Sequence, residues 1–308
     1  MKFNKEKAIE ILKKIGVFLK NLLKKIAIQV GKDTFKFIIK CLELVAIFFI
    51  FCYFLNWSND NIVIKEDVYI NESIPKSFDG YKILQISDLN GKDVQDELIE
   101  KTKTIEPDII VITGDFISAS RTTEYNLDLS YIEEMSKTYP IYFVTGEQEQ
   151  DSSFYDKLEE KLANIENVTI LTNKSIEIQK GEHYIQLMGI HDSSFFFENL
   201  TAFNNQLKEL DTSTHFTILL SHRPELIDIY TKNNIDLVLS GHALGGQVNI
   251  PFVGRLYSNN QGFYPDYTNG FYKQENTTVY VSSGIGNTFI PIRLFNNPEI
   301  NVITLKCE

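Results

Sequence analysis

Cysteine is scarce in this chain, with three residues in 308. Cys41 and Cys52 lie inside an apolar run and leave Cys307 alone in the rest of the sequence, so no disulfide staples the main body, and there is no Cys-x-x-Cys zinc or redox motif. Histidine is nearly as rare: His183, His191, His215, His222 and His242 are the whole supply. A metal site must therefore be built from those five and from carboxylates. Basic charge is short too once the first forty residues are set aside. Those hold eleven Lys against three acids, and with a net charge of −11 for the whole chain the remainder carries −19. A body that acidic excludes nucleic acid as the expected partner, because a phosphate backbone needs clustered Lys and Arg. What is abundant is apolar: 43% hydrophobic and 12% aromatic residues predict a folded chain of one large or two small domains.

From Phe37 to Trp57 the sequence is nearly all apolar, and from Leu44 to Leu55 it has no polar break. Residues 37–57 therefore read as one transmembrane signal anchor, with Tyr53 and Trp57 at an interface and Lys40 and Glu43 able to pair or snorkel from its first turns. The competing reading is a buried core helix. No small-residue cleavage site follows, so the anchor is expected to stay. Residues 1–36 form a basic amphipathic segment. Ala8, Ile11, Leu12, Ile15, Leu19, Leu22, Ile26 and Val30 recur at helical spacing, with Lys13, Lys14, Lys20, Lys24 and Lys25 around them. This suits an interfacial helix on an anionic inner leaflet of the lipid bilayer, and it also suits a solvated helix packed on the domain. Lys-rich sequence before the span and acidic sequence after it predict a single-pass protein of the cell membrane, N-terminus cytoplasmic and main domain outside.

After a polar linker at 58–61, one domain is expected over 62–308. Short β-branched runs at 81–87, 108–113, 140–145, 183–190, 215–221, 236–240, 279–283 and 300–305 read as strands covered on both faces. Helical stretches near 93–105, 123–138, 153–166, 199–210 and 224–232 lie between them. The alternation predicts an α/β domain with largely parallel strands, in which ligand groups collect at strand ends. Asp88 and Asn90, Gly114-Asp115, Gly146-Glu147-Gln148-Glu149, Ser221-His222-Arg223-Pro224 and Ser240-Gly241-His242 stand at those ends. Two histidines with carboxylates suit Zn, Mn or Fe. A dinucleotide or P-loop enzyme is excluded for want of motif: Gly284-Ile285-Gly286 lacks a third glycine, and no Gly-Lys-Ser/Thr follows a strand.

These segments resemble the calcineurin-like metallophosphoesterases, particularly their bacterial membrane-anchored branch, over residues 62–308. The family signature D-x-H, G-D-x-x-D, G-N-H-[DE], S-H-x-P and G-H-x-H-G-G-Q stands here, in order, as Asp88-Leu89-Asn90, Gly114-Asp115-Phe116-Ile117-Ser118, Gly146-Glu147-Gln148-Glu149, Ser221-His222-Arg223-Pro224 and Gly241-His242-Ala243-Leu244-Gly245-Gly246-Gln247. The resemblance implies a four-layer α/β/β/α sandwich whose strand-end loops hold two divalent cations, which clamp the attacking and leaving oxygens of a phosphoester.

Carried over position by position, the first cation would use Asp88, Asn90, the bridging Asp115 and Leu244. An amide is a weak ligand and an isobutyl group is none, so Asp88 is left as a remnant and a second metal in the protein is not expected. The other cation would use Asp115, Glu147 in place of Asn, His222 and His242, so one divalent metal (Mn, Zn or Fe) is expected there. Gln148 stands where the family has its substrate-facing His and cannot deliver a proton near neutral pH. Ser118 replaces the second Asp of G-D-x-x-D. His191 is a candidate compensating ligand, with an exposed loop histidine as the competing reading. Glycines and prolines matching the scaffold remain, namely Gly114, Gly146, Pro224, Gly241, Gly245, Gly246 and Pro291. The expectation is a membrane-anchored pseudoenzyme that binds a phosphorylated ligand or a protein partner. The rival is a phosphoester hydrolase running on one metal held by Asp115, Glu147, His222 and His242.

Overall fold

The structure, a computed structural model, describes residues 5–210, 215–258, 261–287 and 292–308. Pro291 of the scaffold set lies outside them. Two compact units are present, residues 1–56 and 57–308.

In the first unit, helix α1 (Lys5–Val30) is followed by helix α2 (Lys32–Asp60). Between them Gly31 takes φ of 87°, a left-handed conformation that only a residue without Cβ adopts at little cost. On the apolar stripe of α1, Leu19 and Leu22 are exposed. The side chains of Ala8, Ile11, Leu12, Ile15, Ile26 and Val30 lie outside the described residues. Over Asp33–Asp60, 28 residues, α2 is long and apolar enough to cross a membrane by length and composition, with none of that face buried. A core helix would bury it; here Leu44, Phe48, Phe49 and Ile50 are all exposed. The helix also runs on through Ser58, Asn59 and Asp60, where a linker was expected.

The second unit is built in two halves. The first comprises β1 (Val63–Ile70), β2 (Lys82–Ile86), α3 (Gln95–Ile105), β3 (Ile109–Thr113), α4 (Ser130–Met135), β4 (Ile141–Val144), α5 (Glu147–Asp151), α6 (Tyr155–Ala163) and β5 (Val168–Ile170). The second continues with β6 (Lys174–Lys180), β7 (His183–Gly189), α7 (Leu200–Leu210), β8 (Thr217–Leu220), α8 (Ile227–Lys232) and β9 (Leu237–Ser240). Two short hairpins follow, β10 (Asn249–Ile250) with β11 (Gly254–Arg255) and β12 (Tyr257–Ser258) with β13 (Gly262–Phe263), then β14 (Gly270–Gln274), β15 (Thr277–Val281) and β16 (Glu299–Lys306). One sheet has the order β1-β16-β2-β3-β4-β5 and the other β14-β15-β9-β8-β7-β6. Neighbours within these sheets are parallel except β16/β2, β14/β15 and β6/β7.

Period-two alternation in the interior strands separates three cores and so makes four layers. In β3, Ile110 and Ile112 point to a core shared with Leu98, Ile132 and Leu158 of α3, α4 and α6. Ile109 and Val111 point the other way, onto Leu187, Ile218, Leu220, Leu237 and Leu239 of the second sheet. The opposite face of that sheet, Leu219, Val238 and Val279, packs on Phe203, Leu207 and Tyr230 of α7 and α8. This is the α/β/β/α sandwich expected. Near the carboxyl ends of the strands a polar tie joins the sheets: buried Gln85 donates from Nε2 to Thr113 Oγ1 at 2.9 Å and to the Ser240 carbonyl at 2.9 Å. The loops that follow β2, β3, β8 and β9 are thereby held at one edge.

Candidate metal centre

At that edge three of the expected ligands converge. Asp115, His222 and His242, all buried, each offer a donor atom within 4.8 Å of the others. His222 Nε2 stands 3.4 Å from Asp115 Oδ2 and 3.3 Å from His242 Nδ1. Donors about 2.0–2.1 Å from a tetrahedral ion stand roughly 3.3–3.4 Å from one another, so the set has the chemistry and the spacing of a divalent-metal site.

The backbone brings them this close by accepting strain. Asp115 (φ 52°) and His242 (φ 65°) are left-handed, as are Asp88 (51°), Asn90 (51°) and Leu244 (47°). Such conformations cost on the order of 1–3 kcal/mol each and persist where the surroundings over-determine them. Glycine supplies the clearance. A Cβ on Gly146 would lie 2.2 Å from Asp115 Oδ1, and one on Gly241 would lie 2.3 Å from Asp88 Oδ2.

Charge is concentrated here without solvent. Burial alone would lower the pKa of His222, but Asp115, then Asp88 and Asp192, raise it well above its ordinary value, so without metal its ring holds a proton between carboxylates. His242 moves the other way, to about 3, through burial and then repulsion from His222 and Arg223. Burial, with Asp115 adding to it, lifts Glu147 to about 7, and burial lifts Asp88 to about 6. A cation entering the cluster would relieve this crowding of acids and displace the His222 proton.

The remaining expected ligands are not part of that group of three. Glu147, half-buried, approaches Arg223, Oε2 to Nη2 at 3.4 Å. Asp88 spends both oxygens on the His242 backbone N–H (3.1 and 3.0 Å), and Oδ2 also accepts from Ser87 Oγ at 2.7 Å. Asn90 donates from Nδ2 to the Asp88 carbonyl at 3.3 Å. Leu244 is buried. Gln148 accepts the Ala119 N–H at its Oε1, 3.1 Å. His191 stacks on Phe195 with ring centroids 4.3 Å apart and bonds through Nδ1 to Thr145 Oγ1 at 3.0 Å. That places it outside the metal set.

Sequence reasoning gave no role to four residues that shape this edge. Glu149 accepts the backbone N–H groups of Gly146 (2.7 Å), Asp115 (2.8 Å) and Ile117 (3.1 Å), locking the β3 and β4 loops together; its place three residues after Gly146 was the available signal. Asp192 forms a buried fork with Arg223, from Nε at 2.9 Å and Nη2 at 2.9 Å; against the cost of burial, His222 and then Arg223 draw its pKa down to about 2. Glu225 Oε1 lies 4.0 Å from His242 Nε2, on the far side of the ring from the cluster.

The comparisons with known proteins agree with this geometry. The calcineurin-like phosphoesterase family model matches residues 81–245. An uncharacterized metallophosphoesterase of Bacillus subtilis, YkuE, is 28% identical over 243 residues, covering 76% of this chain and 82% of its own. One from Campylobacter jejuni is 30% identical over 262 residues, covering 82% and 67%. A bovine transmembrane protein with a metallophosphoesterase domain is 29% identical over 250 residues, covering 76% and 54%.

Proposed function

This chain belongs to the calcineurin-like phosphoesterase family, and from that premise we propose that it is a membrane-anchored member that holds one divalent metal, has lost two-metal catalysis, and acts by binding a phosphorylated ligand. The observation that carries the reading is the split of the site into a compact half and a vacated one. Asp115, His222 and His242 meet at ligand spacing, whereas Asn90, Leu244 and Gln148 replace donors, and Asp88 is committed to Ser87 and the His242 backbone. A divalent ion in the compact half would supply Lewis acidity toward a phosphoryl oxygen. The chain offers Gln148, and so an amide, where a proton donor is needed.

The retained half-site favours a second reading, a one-metal hydrolase. The two separate on turnover of activated aryl phosphates with Mn or Zn. Wild type should stay at background, while an Asn90→His, Gln148→His, Leu244→His variant serves as the comparison, since a general acid alone is worth about 10²–10⁴ in rate. Robust wild-type turnover that vanishes on His242→Ala would establish the hydrolase instead.

A further inference from the structure

Beside the vacated half of the site lies a recess of about 230 Å³ lined by Asn90, Lys92, Arg121, Asn126 and Asn287 among others. It is smaller than the roughly 300–1,000 Å³ of sites for drug-sized ligands, which suits one charged group and the first atoms of its carrier. Its distinguishing feature is an exposed arginine with no carboxylate partner among the described residues, in a body that is otherwise strongly acidic. The Arg121 guanidinium is held only by neutral acceptors, the carbonyl of Asn287 at 2.8 Å, that of Asn90 at 3.4 Å and Ser118 Oγ at 3.2 Å. Among the described residues no carboxylate pairs with it. A carboxylate at position 118 would cancel that charge; the hydroxyl of Ser118 leaves it intact. Lys92, partly desolvated, donates to the Asn59 carbonyl at 2.6 Å, and its nearest acid is the largely exposed Asp60 at 3.6 Å.

The floor of the recess connects to the metal cluster. Asn90 donates its backbone N–H to the Asp115 carbonyl at 2.8 Å, and its Oδ1, buried, has no hydrogen-bond partner. A recess whose lining carries Arg121, Lys92 and the partnerless Asn90 fits a phosphate on a hydroxyl-bearing group, with the oxyanion on Arg121 and Lys92 and a hydroxyl on Asn90.

We propose that this recess is a phosphate-binding subsite, distinct from the Asp115, His222 and His242 cluster, that takes the phosphate of a hydroxyl-bearing headgroup or of a soluble ester. The proposal deepens the ligand-binding reading above and rests on it. Two sources share this chemistry: a soluble phosphate, and a lipid headgroup, since Asn59 follows the apolar run by two residues.

The test uses metal-loaded full chain in phosphatidylcholine nanodiscs, titrated calorimetrically with inorganic phosphate and with glycerol 3-phosphate. Wild type should bind both, glycerol 3-phosphate more tightly. The Arg121→Gln, Lys92→Gln variant should bind about tenfold or more weakly while keeping its metal content. In nanodiscs containing phosphatidylglycerol, loss of glycerol 3-phosphate binding identifies the headgroup as occupant, and unchanged binding identifies the soluble ester. A His242→Ala protein without metal should still bind. Equal binding by wild type and the double variant, or no binding by wild type in either nanodisc, would overturn the subsite. Binding that disappears with the metal but survives the double variant would place phosphate on the metal and leave only the broader reading standing.

Discussion

The backbone carbonyl of Thr113 lies 2.8 Å from Nδ1 of His222. A carbonyl can only accept, so Nδ1 carries the hydrogen, and Nε2 is the nitrogen that faces Asp115 and His242. One strand end thus decides which atom of His222 is available to a metal, before any metal arrives.

Elemental analysis of the purified chain should find about one equivalent of Mn, Zn or Fe, and none in His242→Ala. Because the ion must displace a proton from His222, whose pKa is raised, affinity should climb with pH by about tenfold per unit below that pKa. Two tightly held equivalents would show that Asn90 and Leu244 have been compensated, and pH-independent affinity would contradict the protonated His222.

Asp192→Asn should destabilise the domain by removing one partner of a buried ion pair, a loss typically of about 3–5 kcal/mol. Glu198 remains at 3.1 Å and Glu147 at 3.4 Å from Arg223, which argues for the lower end, about 3 kcal/mol. For a domain of this size that is roughly 6–12 °C in melting temperature, readable by thermal denaturation in detergent. An unchanged melting temperature would mean that Glu147 and Glu198 carry Arg223 unaided.

His191 gives a pH signature away from the metal. Burial lowers its pKa from 6.5 to about 4. Between those values the unfolded chain takes up a proton that the folded chain refuses. Its contribution is therefore complete above pH 6.5 and is lost as pH falls toward 4, on the order of 2–3 kcal/mol in all. His191→Gln should flatten this part of the stability–pH curve. Parallel curves for wild type and variant across pH 4–6.5 would refute the assignment.

Ten Lys before the apolar run and an acidic remainder after it predict an N-terminus inside and the main domain outside. A reporter that works only outside the cytoplasm, fused at Glu308, should be active. Activity confined to a cytoplasmic reporter at the same position would reverse the topology.

The sequence alone located eight strands, β2, β3, β4, β7, β8, β9, β15 and β16, and all of them are interior to the two sheets. The four strands of these sheets that it did not mark, β1, β5, β6 and β14, are their four edges. An interior strand is covered on both faces and reads as an apolar run such as Ile109–Thr113, whereas β6 (Lys174–Lys180) alternates half-buried and exposed residues and resembles a loop. Of the helical stretches, 123–138 shrank most, to Ser130–Met135. Ligand types were equally legible, because Asp115, His222 and His242 each follow an apolar run.

Only the tertiary structure decided which of those groups meet. The short strand-end segments of two sheets must be superposed before His222 Nε2 finds Asp115, and Gln85, reaching from one sheet to Ser240 of the other, is part of what superposes them. Glu147 was placed among the ligands by its position in the chain, and its neighbour Arg223, at 3.4 Å, lies 76 residues away in sequence. Residue type and spacing are local and survive in one dimension; the direction in which a side chain points is set by partners distant in sequence, and that is where Asp192, Glu149 and Arg121 acquired their roles.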